Sequence, residues 1–250
     1  MTDNDSHGLD DFRDWPEEGR VFPASSANIQ VLDGPHPFCL SDADEIAANW
    51  QREVTANPAL FDGQMVFHRQ LRVSGGAIEG EAHVVPYSAF LWWRRKADRR
   101  GGVHLFCYPV LVSADGALIA VTMGSHTANP GQVYFAAGSL EPVDIVDGRC
   151  DMEENMRREV REETGLDLLT CRSDAGFHAV RLDRTIALCK LYYFEETAEQ
   201  IVASIEAHME VAEDDEIAGA VIIRSADPSA YRYNAAMLPV IDWYFATVRT

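Results

Sequence analysis

Hydrophobic and polar positions from about residue 103 onward change period several times, between the alternation typical of strands and the spacing typical of helices. Apolar runs at His104–Val112 and Leu118–Met123 predict two strands, and Ala114-Asp115-Gly116 predicts the turn between them. Further strands are predicted at 132–137, 171–181, 185–194 and 217–224, and helices at 152–164, 198–209 and 228–248. Strands that alternate with helices predict a mixed sheet between helices, which is an α/β fold.

The first hundred residues predict a smaller α/β extension. Residues 1–20 are acidic and polar, which predicts a loosely ordered tail. A helix begins near Ser41-Asp42 and reaches the mid-fifties, where Asn57-Pro58 ends it. Strands at 64–72 and 77–84 are joined by Ser74-Gly75-Gly76. The pattern therefore divides the chain into an N-terminal extension, 1–100, and a larger domain, 101–250.

The predicted helix 152–164 has clear ends and one apolar face. Asp151 and Glu154 form a pattern similar to a capping box, and Gly165 supplies a left-handed end. Met156 and Val160 make one face apolar, so the helix is expected to bury that face and to keep its glutamates at a rim.

Three glutamates of this helix lie on one stripe. At roughly 100° per residue, Glu159 and Glu163 are about 40° apart around the axis and Glu162 is about 60° from Glu159. Like charges at this spacing repel, so the arrangement favours a hard divalent cation, and magnesium prefers oxygen ligands. Arg158, one turn before Glu162, is placed to hold that carboxylate. The alternative is a solvated helix whose arginines balance its acids.

Composition and charge argue against several classes of protein. The chain has 250 residues and a formal net charge of −19, which argues against binding to polymeric nucleic acid. No apolar run approaches the roughly 20 residues that span a bilayer, so no membrane partner is expected. The N-terminus has no secretory pattern, and the five cysteines form no complete disulfide set, so a cytoplasmic location is expected.

The segment Arg158–Leu166, Arg-Glu-Val-Arg-Glu-Glu-Thr-Gly-Leu, resembles the second half of the Nudix box at every fixed position. The first half departs from that pattern, because Cys150 stands where a glutamate is expected. The segment from Ala137 to Glu141 resembles the opening of the box with one glycine replaced, and the following loop is about six residues longer than the family pattern. The resemblance covers roughly the last 150 residues and implies a Nudix-type α/β/α sandwich.

The same resemblance implies a metal-dependent hydrolase that cleaves a nucleoside diphosphate linked to another moiety. The implied cofactor is Mg²⁺ or Mn²⁺, with Arg158 beside its ligands. The resemblance also implies that either Glu163 or Glu216 takes a proton from the attacking water. Glu216 is the last residue of the run Glu213-Asp214-Asp215-Glu216, and the alternative is that this run is an ordinary acidic loop. The implied metal ligands are Glu159, Glu162, Glu163 and the backbone carbonyl of Ala137 or Gly138.

Candidates for substrate binding are more scattered. Arg94 and Arg95 begin a basic cluster directly after two tryptophans, which predicts either a phosphate and base site or a solvated linker. Arg181, at the end of a predicted strand, faces either a phosphate or a salt-bridge partner. Glu141 belongs to the box loop. The remaining candidates, His68, His83, His104 and His178, lack metal-ligand spacing and are expected to be structural.

A second, weaker resemblance concerns the extension. The segment from Pro58 to Gly63, with Tyr87-Ser88-Ala89-Phe90 after a strand pair, is similar to a Nudix subgroup associated with hydrolysis of UDP-sugars. This favours a nucleotide sugar such as UDP-glucose as the small-molecule substrate. Phe61 and Tyr87 are alternatively core aromatics. ADP-ribose, coenzyme A, dinucleoside polyphosphates and oxidised nucleotides stay open as substrates, as does a catalytically inactive nucleotide-binding protein. Family members with N-terminal extensions often form homodimers.

Overall fold

The computed structural model describes residues 12–125, 127, 129–212 and 216–249. Within these residues the chain forms two mixed β-sheets and six α-helices. The strands are β1 (Phe22–Ala24), β2 (Ser26–Val31), β3 (Gln64–Ser74), β4 (Ala77–Pro86), β5 (His104–Val112), β6 (Leu118–Met123), β7 (Val133–Tyr134), β8 (Ile145–Val146), β9 (Arg149–Cys150), β10 (Arg172–Ser173), β11 (Phe177–Leu182), β12 (Thr185–Tyr193) and β13 (Ile217–Ile223). The helices are α1 (Pro37–Ser41), α2 (Ala43–Ala56), α3 (Tyr87–Arg95), α4 (Met152–Thr164), α5 (Ala198–Met209) and α6 (Met237–Trp243).

The larger sheet has helices on both faces. Its strand order is β1-β11-β12-β5-β6-β13, with β10 paired to β12 and β7 paired to β6. Strands β5 and β12 are parallel, and alternate residues of β5 point to opposite faces. Leu105 and Cys107 pack in the core that contains α4 and α5, whereas Tyr108 and Val110 pack in the core that contains α6. The predicted α/β fold, with a mixed sheet between helices, is confirmed.

The smaller sheet has the order β3-β4-β2-β9-β8. Ile29, Val66 and Ile78 on one of its faces join the core under α4, while Phe67 packs with Trp93 of α3 in an aromatic core of its own. Two strand pairings cross the predicted boundary between residues 100 and 101, because β1 pairs with β11 and β2 pairs with β9. The division into two domains stays a prediction.

Two segments, one near each end of the chain, differ from their predicted structure. Residues 1–11 of the predicted tail lie outside the described part of the chain, and within residues 12–20 the Trp15 ring is buried between Phe12 and Phe22. The predicted helix 228–248 is wrong for its first half. Residues 225–236 form turns, and the helix begins only at Met237, since the Tyr233 segment bridges to Val133 of the sheet.

One further segment was also predicted incorrectly. The strand predicted at 132–137 is reduced to β7, after which the chain leaves the sheet toward α4. The basic segment after the tryptophans is divided: Arg94 and Arg95 form the last turn of α3, whereas Lys96 to Arg100 lie in the connection to β5, as the linker alternative expected. None of the helices in the described part of the chain combines the length and apolar character that a bilayer crossing requires.

Candidate active site

Helix α4 is fixed by its ends and its buried face. The Asp151 carboxylate accepts a hydrogen bond from the Glu154 backbone N–H at 3.0 Å, and Gly165 ends the helix with φ of 72°. Met156 and Val160 are fully buried in the core, as their spacing predicts. The glutamate stripe therefore lies at the border between the core and a large cavity.

This cavity, which we call the acidic cavity, has a volume of 880 Å³. It lies between α4, the chain after β7, the start of β3 and the chain before β13. It is lined by Phe61, Gly63, Gln64, Met65, Tyr87, Gly138, Ser139, Glu141, Val143, Arg158, Glu159, Glu162, Glu163, His208, Ala212, Glu216 and Ile217. The structure thus brings six of the predicted site residues to one cavity, although they come from three separate segments of the sequence.

Glu159 is a buried carboxylate beside one arginine. Its Oε1 lies 2.7 Å from Nη2 of Arg158. Burial raises the pKa of Glu159 to about 8; Arg158 opposes this shift, and the negative charge of Glu162 adds to it. The backbone at Gly138 touches this carboxylate so closely that a Cβ there would clash with both of its oxygens. A side chain at position 138 would therefore displace the Glu159 carboxylate.

Glu163 is still less well compensated. Burial raises its pKa well above the ordinary range, and the nearby charges of Glu159 and Glu216 raise it further. The backbone N–H of Ala137 donates a hydrogen bond that partly opposes the shift. Glu163 Oε2 is buried and has no hydrogen-bond partner among the described residues. A buried carboxylate oxygen that lacks a partner next to other acids is an arrangement that a cation stabilises.

Arg158 is the cation that Glu159 and Glu162 share. Its Nη1 lies 3.0 Å from Oε2 of Glu162. Asp144, which is 1% exposed, accepts hydrogen bonds from the Arg158 Nε at 3.2 Å and from its Nη2 at 3.0 Å, and these bonds hold the guanidinium in place. Within the described chain, no three acidic, histidine or cysteine side chains converge as a ready metal cage. The charge next to Glu159 and Glu162 is instead that of Arg158.

Asp144 was missed by the sequence analysis, and it comes from the inserted loop. Residues Pro142–Asp144 form a short 3₁₀ turn, in which Asp144 accepts from the Glu141 backbone N–H at 2.8 Å and from Asn155 Nδ2 at 2.9 Å. The sequence signal was the Glu-Pro-x-Asp pattern of a helix start. Cys150 does not line the acidic cavity: it lies buried in β9, where burial raises its pKa to about 12.

His208 is a second residue that the sequence did not indicate. Its ring lies against Gly165, and its Nε2 donates to the carbonyl oxygen of Glu162 at 3.2 Å, which ties α5 to the end of α4. At the rim of the cavity, Phe61 is 82% exposed, so its alternative assignment as a core aromatic is wrong. Tyr87 lies half-buried between two cavities.

The predicted substrate-binding residues separate into two groups. Glu141 lines the acidic cavity, and Arg94 lines a neighbouring cavity with Ala137. Arg95 and Arg181 line neither of these cavities. Arg95 pairs with Glu53 at 2.8 Å, and Arg181 pairs with Glu18 at 3.5 Å and lies over the Phe12 ring. Both arginines therefore have a salt-bridge partner, which is what the alternative interpretation expected for Arg181.

The acidic loop before β13 is described only at its end. Glu213, Asp214 and Asp215 lie outside the described residues, whereas Glu216 lines the acidic cavity. The backbone carbonyl of Glu216 accepts from Gly124 N–H at 2.8 Å, which places the residue next to β6. Its carboxylate is near enough to raise the pKa of Glu163.

No family model matches the chain, and no curated protein is similar to it. Solved structures with partial likeness include the Deinococcus radiodurans protein DR0079, with 13% identity and a TM-score of 0.34 over 48% of this chain and 66% of that one. A MutT protein from Methanosarcina mazei has 15% identity and a TM-score of 0.40 over 59% of this chain and 96% of its own. A NUDIX hydrolase from Nitrosomonas europaea has 16% identity and a TM-score of 0.35 over 57% and 88%. Likeness at this level assigns neither a family nor an activity.

Proposed function

We propose that the protein is a divalent-metal-dependent hydrolase of the Nudix type. Its reaction would be hydrolysis of the diphosphate bond in a nucleoside diphosphate linked to another moiety, with release of a nucleoside monophosphate. The observation that carries this proposal is the acidic cavity, where the two buried carboxylates of Glu159 and Glu163 lie beside the exposed carboxylate of Glu162. The resemblance of Arg158–Leu166 to the Nudix box supports it.

The charge of the cavity supports a requirement for metal. Five carboxylates line it, those of Glu141, Glu159, Glu162, Glu163 and Glu216, whereas Arg158 and His208 are the lining residues that can carry positive charge. An anionic diphosphate would be repelled from such a surface unless cations accompany it. Mg²⁺ or Mn²⁺ on the oxygen ligands Glu159, Glu162 and Glu163 would provide them.

Several residues of this chain have separate roles in the proposed hydrolysis. When bound, the metal would neutralise the diphosphate and lower the pKa of a water molecule. Glu163 or Glu216, which line the same cavity from different elements, takes the proton of the attacking water. Arg158, held by Asp144, positions Glu159 and Glu162. The backbone carbonyl of Ala137 or Gly138 is the proposed further ligand.

The preferred substrate that we propose is a nucleotide sugar such as UDP-glucose. The resemblance of the segment Pro58–Gly63 to the UDP-sugar subgroup supports this, and Phe61 of that segment lines the acidic cavity. ADP-ribose, coenzyme A and dinucleoside polyphosphates share the diphosphate and are the alternatives that the same assay separates.

A second candidate function is a nucleotide-binding protein without catalysis. The pairing of Arg158 with both Glu159 and Glu162 favours it, since a guanidinium in that position competes with a metal ion. Cys150, buried where the family pattern expects glutamate, points the same way.

The test is mass-spectrometric identification of products after incubation with Mg²⁺ and UDP-glucose, ADP-ribose, coenzyme A or diadenosine polyphosphates. We expect uridine monophosphate from UDP-glucose, and we expect no such product from Glu162→Gln or Glu163→Gln. Glu154→Gln is the matched control, because Glu154 lies on the same helix but pairs with Arg157 outside the cavity. Absence of product from every substrate would contradict the hydrolase and favour the binding protein.

A further inference from the structure

A second cavity adjoins the acidic cavity and has a different character. It has a volume of 290 Å³, and we call it the aromatic chamber. Tyr87, Gly138 and Ser139 line both cavities, so the backbone at 138–139 forms a common wall. On the far side of that wall lies the Glu159 carboxylate. The residues that define the chamber here are Phe90, Arg94, Phe106, Asn129, Tyr134 and Asn234.

Flat rings, held in place by one amide, form the walls of the chamber. Asn234 Nδ2 donates to the Tyr134 hydroxyl at 2.9 Å, and Asn234 Oδ1 accepts from the Tyr108 hydroxyl at 3.2 Å. The Phe106 ring packs edge-on against Tyr108, with centroids 4.7 Å apart. The rings are therefore fixed before any ligand arrives, which lowers the entropic cost of binding a flat group.

Arg94 stands at this chamber as a cation without a carboxylate partner. Its guanidinium lies 5.6 Å from the Phe90 centroid, and it makes no ion pair with any described residue. The four basic residues that follow it on α3 and beyond, by contrast, all pair with carboxylates. These pairs are Arg95 with Glu53, Lys96 with Asp42, Arg99 with Asp183 and Arg100 with Asp98. In a chain with a net charge of −19, an arginine kept unpaired beside a cavity is suited to bind an external anion.

The chamber also offers hydrogen-bonding groups that the protein does not use. The Asn129 side chain makes no hydrogen bond with another described residue, so both its donor and its acceptor are available. His104 also lines the chamber, and its buried Nε2 has no hydrogen-bond partner among the described residues. Aromatic faces combined with an amide and an imidazole edge are suited to a flat ring that carries both donors and acceptors.

We propose that the aromatic chamber binds the nucleobase of the ligand and that Arg94 binds the phosphate nearest to it. This rests on the proposed function, which places the diphosphate at the glutamates of α4. The ligand would then extend from the aromatic chamber past Gly138 and Ser139, which line both cavities, into the acidic cavity. The chamber volume is near the lower end of about 300–1,000 Å³ for ligand cavities, so the chamber takes one part of the ligand. The other moiety lies in the acidic cavity, toward Phe61.

The test is isothermal titration calorimetry without metal, in EDTA, with uridine monophosphate, adenosine monophosphate and ribose 5-phosphate as probes. We expect the better of the two nucleotides to bind about tenfold or more tightly than ribose 5-phosphate, which has the phosphate but no base. Arg94→Gln should weaken binding of that nucleotide about tenfold, and Asn129→Ala should reduce its advantage over ribose 5-phosphate. Arg100→Gln, in the same basic run but paired with Asp98, is the matched control and should bind as the wild type does.

Neither substitution removes a buried apolar group, and thermal unfolding checks that each variant is folded. Equal affinity for the nucleotides and ribose 5-phosphate, or unchanged binding in both Arg94→Gln and Asn129→Ala, overturns the proposal. If no substrate is hydrolysed but these binding differences hold, the proposed activity is wrong and the chamber assignment stands. If nucleoside monophosphate is released but the variants bind and turn over as the wild type does, the activity stands and the chamber assignment is wrong.

Discussion

Two regions of this protein bury ionisable side chains, and they do so in opposite ways. In the acidic cavity, burial raises the pKa of Glu159 and Glu163, and these side chains border an open volume of 880 Å³. In the region of the smaller sheet, His36, which packs against Phe67, and His68 of β3 are buried, and burial lowers the pKa of each to about 3. His36 and His68 border neither the acidic cavity nor the aromatic chamber.

The histidines and the glutamates differ in the interactions that accompany their burial. A neutral imidazole lies in an apolar core at modest cost, so the histidines serve packing. His36 Nε2, His68 Nε2 and Glu163 Oε2 all lack a hydrogen-bond partner among the described residues, but the glutamates add repulsion from one another to the desolvation. Such an arrangement favours a role in binding a cation rather than in stability. Changes to the glutamates should therefore affect activity, and changes to the histidines should affect stability.

The largest effect is expected from Glu163→Gln. Loss of a metal ligand or general base should lower magnesium-dependent kcat by about 1,000-fold or more, because a positioned base alone contributes about 10²- to 10⁴-fold. Because burial raises the pKa of Glu163 well above the ordinary range, a neutral amide at this position should leave the free energy of unfolding unchanged or higher. Steady-state kinetics and urea unfolding measure the two. A variant that keeps its turnover but unfolds more easily would reverse the comparison.

A large effect on both stability and activity is expected from Asp144→Ala. Asp144 is the buried partner of Arg158, and removal of one member of a buried pair costs about 3–5 kcal/mol in the free energy of unfolding. Asp144→Asn, which keeps an acceptor, should lose less. Urea unfolding measures the difference. Equal stability of Asp144→Ala and wild type would show that Arg158 does not need this anchor.

Acid should destabilise the protein through the histidines. For His36 and His68 the ordinary pKa is 6.5 and the folded value is about 3, so their contribution is complete above pH 6.5 and is lost as the pH falls toward 3. The expected slope is about 1.4 kcal/mol per pH unit for each histidine. Chemical unfolding at several values of pH measures this slope of the free energy of unfolding.

Base should destabilise the protein through the glutamates. For Glu159 the ordinary pKa is 4.5 and the folded value is about 8, so its favourable contribution is present below pH 4.5 and is lost as the pH rises toward 8. Between pH 6.5 and 8 the free energy of unfolding should therefore decrease, and added Mg²⁺ should reduce the decrease. A flat profile over this range without metal would contradict the assignment of Glu159.

The smallest effect on stability is expected from Phe61→Ala. Because the ring is 82% exposed, the free energy of unfolding should change by no more than about 0.5 kcal/mol. Its place at the mouth of the acidic cavity predicts a higher KM for the substrate. Leu169→Ala is the control, since that side chain is similarly exposed but does not line this cavity. The same KM in both variants would remove Phe61 from the site.

Local signals in the sequence were sufficient for the elements that carry the glutamates. The bounds of α4, α5, β5 and β6 agree with the prediction, because caps such as Asp151 and Gly165 fix the ends of the helices. The convergence of Glu141 and Glu159 on one cavity followed from the family resemblance, not from spacing.

Non-local contacts account for what the sequence did not predict. Strands β1 and β2 are short, and their partners β11 and β4 are far along the chain. Arg95 and Arg181 are excluded from the site by Glu53 and Glu18, which no local pattern indicates. Asp144 and His208 reach the site region through an inserted loop and a helix contact, respectively.

The central claim is that the α4 glutamates hold a divalent ion, and titration with Mn²⁺ followed by electron paramagnetic resonance tests it most directly. We expect the wild type and Glu154→Gln to bind Mn²⁺, and we expect Glu163→Gln to bind it at least about tenfold more weakly. Absence of bound Mn²⁺ in the wild type, or equal binding in Glu163→Gln, would contradict the claim.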